Sequence, residues 1–457
     1  MFLQIRPSLL ALPFIVGVTA GFWPFHTQVD AVESDATSDV KQIAIIGARW
    51  FCWFIHSLHL HKLAQGIDVN ITVFERSSYV GGRSTTVNAY NDPGHPVELG
   101  ASIFVSVNEI LMNATKESGL DLNPLADEEQ HETIGIWNGE KFYGMSPILA
   151  NKLMKATVAK FLKLYQPPFF PFRSLSERVV ELDLISATGV TGDQLLVSNS
   201  VYPPFTTDII QAFTRINYLQ NLGVIHGLET MVSMATDGAT QVKGGNWQMF
   251  DRMLNASGAT VYLDTAVSSL EKNSARYTLT SKPAKAARNA VASEQKFDSV
   301  VIAAPFQYSG LKLSEDLVEK TPDEIPYPGD VVPTTVYTTL SPSDDPTSRT
   351  DIVGKAGFFS VIPEVESLLA SPNDDITWFY PHVWNSYPYE YPRVAFEDIE
   401  LARGLYYTAG IESFISTMET SALMGKNVAQ LLVEDFTELL GGVKSEQKET
   451  SKVVEEL

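Results

Sequence analysis

The sequence predicts an α/β fold in which a parallel sheet, assembled from discontinuous segments, carries an inserted mixed α+β layer. Three stretches carry that expectation. Lys41–Phe74 opens as strand, helix and strand, the first strand ending in Gly47 and the second running into the acidic Glu75. FDSVVIAAP, residues 297–305, is a short apolar run of the kind buried on both faces of a parallel sheet. GLYYTAGIESFISTMETSALMGKNVAQLL reads as a strand, a turn and a long amphipathic helix.

Taken in chain order, the N-terminus comes first. Behind Arg6 an apolar run from Leu9 to Ala20 matches a signal peptide's apolar core and is shorter than a membrane span. Residues 1–24 are therefore expected to be a secretory signal, with an uncleaved anchor as the alternative, and 25–40 a polar linker. That predicts a lysosomal, vacuolar or extracellular location and no stable membrane span in the mature chain; peripheral membrane contact stays open. Next comes the strand–helix–strand unit with its Gly-rich turn, and a helix over Asn108–Gly119. From about residue 121 to 234, helical runs alternate with segments rich in Pro and aromatic residues, such as QPPFFPF. QVKGGNWQMFDRMLNASGATVYLDTAV returns to turn, helix and strand, and residues 310 to 395 read as strand-rich.

The resulting division has a nucleotide-type domain of 41–110, 240–308 and 400–435, and a substrate domain of 111–239 and 309–399. Residues 436–457 read as a polar, frayed tail.

Composition sets limits. A hydrophobic content of 44% supplies a sizeable core, and a net charge of −21 excludes binding to a nucleic-acid backbone. Cys52 is the single cysteine, so no intramolecular disulfide forms and stability rests on core burial. Glycosylation acceptor motifs begin at Asn70, Asn113 and Asn255. The eight histidines show no metal-ligand spacing, and no nucleophile elbow is present.

The residues that carry chemistry cluster after the second strand. A carboxylate at Glu75 is placed to accept both hydroxyls of an adenosine ribose, with Arg76 beside it. Gly81 and Gly82 let backbone approach a ligand closely, and Arg83 offers a fork of donors suited to a diphosphate. In VELGASIF, Glu98 is followed by Gly100 and Ala101, small enough to admit a flat ring. Ala303 ends the apolar strand, and Gly410 and Glu412 precede the C-terminal helix, where backbone N–H groups face a ring or ribityl chain. On the substrate side, His226, Trp378, His382 and Trp384 are candidate polar or aromatic groups, though residues of this kind more often serve packing.

The strings ITVFERSSYVGGRSTT, VELGASIF, VKGGNWQMFDRML, FDSVVIAAP and YYTAGIESFISTMETSALMGKN together resemble prenylcysteine oxidases (prenylcysteine lyases), a branch of the amine-oxidase-like flavoproteins. The resemblance runs from about Lys41 to Leu432. It implies a Rossmann-like FAD-binding domain and noncovalent FAD held by Gly47, Ala48, Glu75, Arg76, Gly81–Arg83, Gly100, Ala101, Ala303, Gly410 and Glu412. It also implies O2-dependent cleavage of a prenylcysteine thioether, with the flavin rather than a side-chain nucleophile or metal carrying the chemistry.

One stretch departs from that pattern. The family's Gly-x-Gly-x-x-Gly turn survives only as Gly47 and Ala48, followed by Arg49, Trp50, Phe51, Cys52, Trp53 and Phe54. Taken literally, bulky side chains stand where a pyrophosphate approaches the backbone. Three explanations stay open: an apolar helix start peculiar to this lineage, a cofactor-free prenyl-binding relative, and a shifted reading frame. RWFCWFIH can be encoded CGG TGG TTC TGC TGG TTC ATC CAC. Without its first base, and continued through Ser57 and Leu58, this reads Gly-Gly-Ser-Ala-Gly-Ser-Ser-Thr-Ala-Tyr, a small-residue phosphate turn.

Overall fold

The computed structural model describes residues 40–47, 68–124, 146–285, 291–327, 334–340, 376–383 and 385–455. They belong to one compact unit, Asp39–Leu457. Residues 48–67, and with them Ala48 and the RWFCWFIH stretch, lie outside the described set, as do Trp384, the expected signal and most of the linker.

Its centre is a six-stranded sheet drawn from three distant parts of the chain. The strands are β1 (Lys41–Ile46), β2 (Val69–Phe74), β7 (Thr260–Tyr262), β11 (Ser299–Ile302), β15 (Glu400–Ala402) and β16 (Leu405–Tyr407), ordered β15-β16-β11-β1-β2-β7. All neighbours run parallel except β15 against β16. Alternate residues of the central strands face opposite ways. Ile43, Ile45, Val73 and Val301 join one core, whereas Ala44, Ile46, Phe74 and Ile302 join another. Both faces are covered, which is why these strands read as continuous apolar runs rather than alternating ones. Each fully buried Ile or Val contributes about 1.5–3 kcal/mol relative to exposure.

The first core is closed by α1 (Glu109–Glu117), α7 (Trp247–Ser257) and α8 (Met418–Glu455). The second is closed by a four-stranded sheet, β10-β9-β8-β12, of β8 (Thr265–Asn273), β9 (Arg276–Pro283), β10 (Ser293–Phe297) and β12 (Lys312–Leu313). Val267, Leu270, Tyr277 and Leu279 supply its inward face.

A helical layer packs further along the first core: α2 (Ser146–Leu162), α3 (Leu175–Glu181), α4 (Gly192–Ser198), α5 (Gln211–Tyr218) and α6 (Gly227–Met234). Its ends are specified locally. Thr191 and Gln194 form a reciprocal capping box on α4, and Ser174 caps α3. Small ribbons complete the fold: β3 (Thr86–Asn88) with β4 (Pro96–Glu98), β5 (Leu122–Pro124) with β6 (Thr240–Val242), and β13 (Thr334–Leu340) with β14 (Ile376–Val383).

One expectation from composition needs correcting. Residues 436–455, expected to be a frayed tail, continue α8 without a break. The run contains no proline and is rich in Glu, Lys and Gln, which lose little rotamer freedom in a helix. Among the described residues, no helix is long and apolar enough to cross a membrane.

Candidate active site

The carboxyl ends of β1, β2 and β11 meet along one edge of the sheet, where ligands bind in open α/β folds. Gly47 leaves β1 with φ +102° and donates its N–H to the Phe74 carbonyl at 2.9 Å. A Cβ here would stand 3.0 Å from that of Ala304, so β1 can turn away this close to β11 only as glycine. Glu75 follows β2 and is 1% exposed. Its amide donates to the Tyr262 carbonyl at 2.8 Å, and its carboxylate accepts the Ser77 N–H at 2.6 Å.

Gly47, Glu75, Arg76, Val267 and Ala304 border a groove of about 390 Å³. Arg76 closes one side by donating to the Tyr308 carbonyl at 3.1 Å. The turn beyond Glu75 is held by strain that only glycine tolerates. Gly81 sits at φ +114°, and a Cβ on it would lie 2.7 Å from the Ser84 carbonyl oxygen. Gly82 follows at φ +59°.

Arg83 stands between this groove and a second cavity of about 370 Å³, and it borders both. The sequence pointed its fork at a diphosphate. Here one guanidinium nitrogen donates to both Glu412 oxygens at 2.6 Å, and another donates to the Ser386 carbonyl. Burial, the largest single influence, would pull the Arg83 pKa down; the charge and hydrogen bonds of Glu412, together with Tyr327 and Tyr387, outweigh it and leave it above its usual value. Ser416 Oγ donates to Glu412 at 2.9 Å, and the Tyr387 ring lies 5.9 Å from the guanidinium. Gly410 admits this arrangement because a Cβ would meet that of Glu397 at 2.8 Å.

The second cavity is walled mostly by apolar side chains, among them Leu111, Val158, Phe161, Leu162, Ile216 and Val232. Gly100 and Ala101 line it; Ala101 takes φ +51°, unusual for a residue with a Cβ. Asn246 explains how that backbone is held. Its side chain donates to the Ala101 carbonyl at 2.8 Å and the Ser102 carbonyl at 3.1 Å, while its own N–H donates to Glu98. Burial pushes the Glu98 carboxyl up to about 7, against the pull of its bonds from Asn246 and Thr86. In the sequence Asn246 is marked only by its place after two glycines, Gly244 and Gly245; its burial and its bonds to this backbone come from the fold.

Glu419 is the carboxylate that lines the cavity, and it accepts the N–H groups of Ile110 and Leu111 at 2.9 and 3.0 Å. Burial lifts it to about 7, and those two donors pull it back down.

The remaining candidates sit elsewhere. Ala303 is fully buried at the end of β11. His226 does not line either cavity. It caps α6, its Nδ1 accepting the Glu229 N–H at 3.1 Å, and burial lowers its pKa to about 3, so the ring stays neutral. Trp378 stacks on Tyr380 at 5.7 Å and packs on Leu99, which does border the cavity. His382 lies on β14, and its side chain is outside the described set. Among the described residues no group of three or more His, Cys, Asp or Glu is placed to hold a metal.

Comparison with known proteins gives the same picture from outside. A profile of NAD(P)-binding Rossmann-like domains matches residues 55–116, taking in Glu75–Arg83 but not Gly47–Phe54. In structure the chain is similar to putrescine oxidase bound to putrescine (TM-score 0.57, 14% identity, covering 86% of this chain and 99% of that one). It is also similar to a fatty acid isomerase from P. acnes, with TM-score 0.54 and 13% identity. These likenesses show a shared fold, a Rossmann-like domain with a parallel sheet. Among curated proteins, a farnesylcysteine lyase of Arabidopsis thaliana is 26% identical over 443 residues, covering 83% of this chain and 85% of that protein. Prenylcysteine oxidase 1 of Bos taurus is 24% identical over 459 residues, covering 86% and 88%. A profile described as prenylcysteine lyase matches residues 130–345 and 362–444, well over half of the 457. The chain belongs to the prenylcysteine lyase family.

Proposed function

We propose that the protein is an FAD-dependent thioether oxidase acting on farnesyl- or geranylgeranylcysteine in the degradation of prenylated proteins. The overall reaction consumes thioether, O2 and water and yields a prenyl aldehyde, free cysteine and H2O2. The observation that carries this reading is a nucleotide-type groove adjoining a largely apolar cavity, with Arg83 bordering both.

The described residues fit an adenine dinucleotide. Glu75 presents a buried carboxylate to the groove, and Gly47 borders it where β1 turns away, a turn that the close approach of Ala304 restricts to glycine. When bound, FAD supplies the acceptor for the hydride lost from the carbon beside sulfur. The chain's own residues position and shield. Glu75 accepts ribose hydroxyls, and Asn246 fixes the backbone of Ala101 and Ser102 at the cavity floor. Phe161, Leu162 and Val232 surround the isoprenoid and exclude water from all but its polar end. From the apolar run behind Arg6 we further propose routing through the secretory pathway.

The test is purified full chain given farnesylcysteine under air, with aldehyde followed by mass spectrometry, H2O2 by peroxidase coupling, and the flavin by absorbance. Stoichiometric aldehyde and H2O2 from a yellow preparation support the reading. A yellow protein that turns over an amine instead overturns the substrate and favours another flavin oxidase. A second reading, a prenyl-binding relative without cofactor, is favoured by Arg49–Phe54 in the phosphate turn. A colourless chain that rejects added FAD yet retains farnesylcysteine would establish it.

A further inference from the structure

The mouth of the apolar cavity carries a feature that thioether chemistry does not use. In a chain with 54 acidic and 33 basic residues, α2 contains Lys152, Lys155 and Lys160 and no Asp or Glu. Lys163 follows in the next turn. Lys160 is tied to Asp183 at 2.6 Å, whereas Lys152, Lys155 and Lys163 are exposed and form no ion pair among the described residues.

The helical period then links charge to cavity. Ile148, Lys152, Lys155, Val158 and Leu162 fall at spacings of three and four, along one stripe of α2. Val158 and Leu162 line the cavity, while Ile148 is 65% exposed. The stripe therefore leaves the cavity and surfaces as lysines and an isoleucine. Two other cavity-lining residues also face solvent, Ile216 at 67% and Val107 at 46%, and Phe213 is exposed one turn before Ile216. Among the described residues, Glu109, beside Val107, and Asp237, whose carbonyl accepts from Ser106, are exposed acidic residues near this rim.

Exposed lysines flanking an apolar rim match a surface that offers negative charge outside and hydrocarbon beneath. We propose that this face docks the protein on an anionic lipid bilayer, the lysines at the headgroups and Ile148, Phe213 and Ile216 at the acyl boundary, with the cavity open toward the lipid. Delivery of an isoprenoid from bilayer to cavity rests on the function proposed above; the docking itself does not. The net charge of −21 disfavours anionic lipid for the chain as a whole, so binding depends on a locally basic face such as this one.

The experiment is vesicle flotation of the full chain at low ionic strength, comparing phosphatidylcholine alone with phosphatidylcholine containing a quarter phosphatidylserine. The wild type should float only with the anionic vesicles and detach in high salt. The double variant K152E/K155E should lose at least about 30-fold in partitioning, from two attractive charges removed. K152R/K155R, which keeps the charge, should retain it. Melting curves by circular dichroism, unchanged because both positions are exposed, separate docking from misfolding. Equal flotation of wild type and K152E/K155E overturns the proposal, as does no flotation of the wild type. So does a wild-type dimer in light scattering that K152E/K155E dissociates, since the face would then pair two copies. None of these readouts needs turnover, so failure of the oxidase reading leaves them intact.

Discussion

Exchanging Glu412 for glutamine should destabilise the protein far more than a lost surface ion pair would. Glu412 is fully buried, and its two oxygens accept from Arg83 at 2.6 Å and from Ser416 at 2.9 Å. The amide keeps the shape but removes the charge, leaving the Arg83 guanidinium, 11% exposed, uncompensated in the interior. Breaking a buried pair this way costs about 3–5 kcal/mol, whereas an exposed pair is worth about 0–1 kcal/mol. Replacing both partners removes the stranded charge, so Arg83→Met with Glu412→Gln should cost clearly less than the two single changes summed. Urea denaturation of the four chains completes a double-mutant cycle, read from the midpoints at constant m. A loss below about 1 kcal/mol for Glu412→Gln, or strict additivity, would refute the account.

Three other changes test neighbouring parts of the site. Gly81→Ala should destabilise by more than the roughly 1 kcal/mol of an ordinary glycine effect, because φ is +114° and Ser84 O lies 2.7 Å from the new Cβ; a melting point within a degree of wild type would contradict this. Glu75→Ala should weaken FAD binding roughly 10- to 100-fold by removing a charged acceptor, measured by flavin fluorescence quenching; unchanged affinity would move the ribose elsewhere. Glu419 titrates near 7 folded against an ordinary 4.5, so the native state holds its proton over that window while the unfolded chain has released it. This contribution to stability is complete below about 4.5 and is lost as pH rises through 7, on the order of 3 kcal/mol. Melting temperature from pH 4.5 to 8 should therefore fall less steeply in Glu419→Gln than in wild type, and parallel curves would exclude Glu419 as the cause.

What was legible in the sequence followed from local physics. The strands ending in Gly47, Glu75 and Ala303 could be read because both faces of a parallel sheet are buried and their apolar runs are unbroken. Their meeting on one edge could not be read from periodicity, since pairing of Ile43 with Ser299 spans most of the chain. The sheet of β8, β9 and β10 was missed beyond its first strand because one face is solvated and its alternation is diluted by Ser, Thr and Lys. Arg83 stands out in the sequence as a fork of donors, but the Glu412 carboxylate it meets is 329 residues away, and sequence spacing carries no signal for such a pair. His226 could be read from the sequence as a substrate contact or, more readily, as a packing residue; its ring nitrogen accepts the Glu229 N–H at the start of α6.

The Arg49–Phe54 stretch decides whether the rest of the sheet edge can serve a cofactor. The described residues near the turn are compatible with the dinucleotide site proposed above: Gly47 at φ +102°, Glu75 at the groove, Gly81 and Gly82 beyond it. If the turn alone is at fault, restoring it should restore binding without touching any of these residues. Exchanging residues 49–58 for Gly-Gly-Ser-Ala-Gly-Ser-Ser-Thr-Ala-Tyr, the product of the alternative frame, removes the bulky side chains and returns backbone N–H groups to a phosphate. Both chains, purified without added flavin and then titrated with FAD, should differ by at least about 100-fold in affinity, the exchanged chain alone emerging yellow. Equal, tight binding by the chain as it stands would show that large side chains are accommodated at this turn. Absence of binding in both would move the defect away from the turn and favour the cofactor-free relative. Genomic codons across 49–58 that cannot yield a glycine-rich frame would separate a lineage-specific turn from a shifted one.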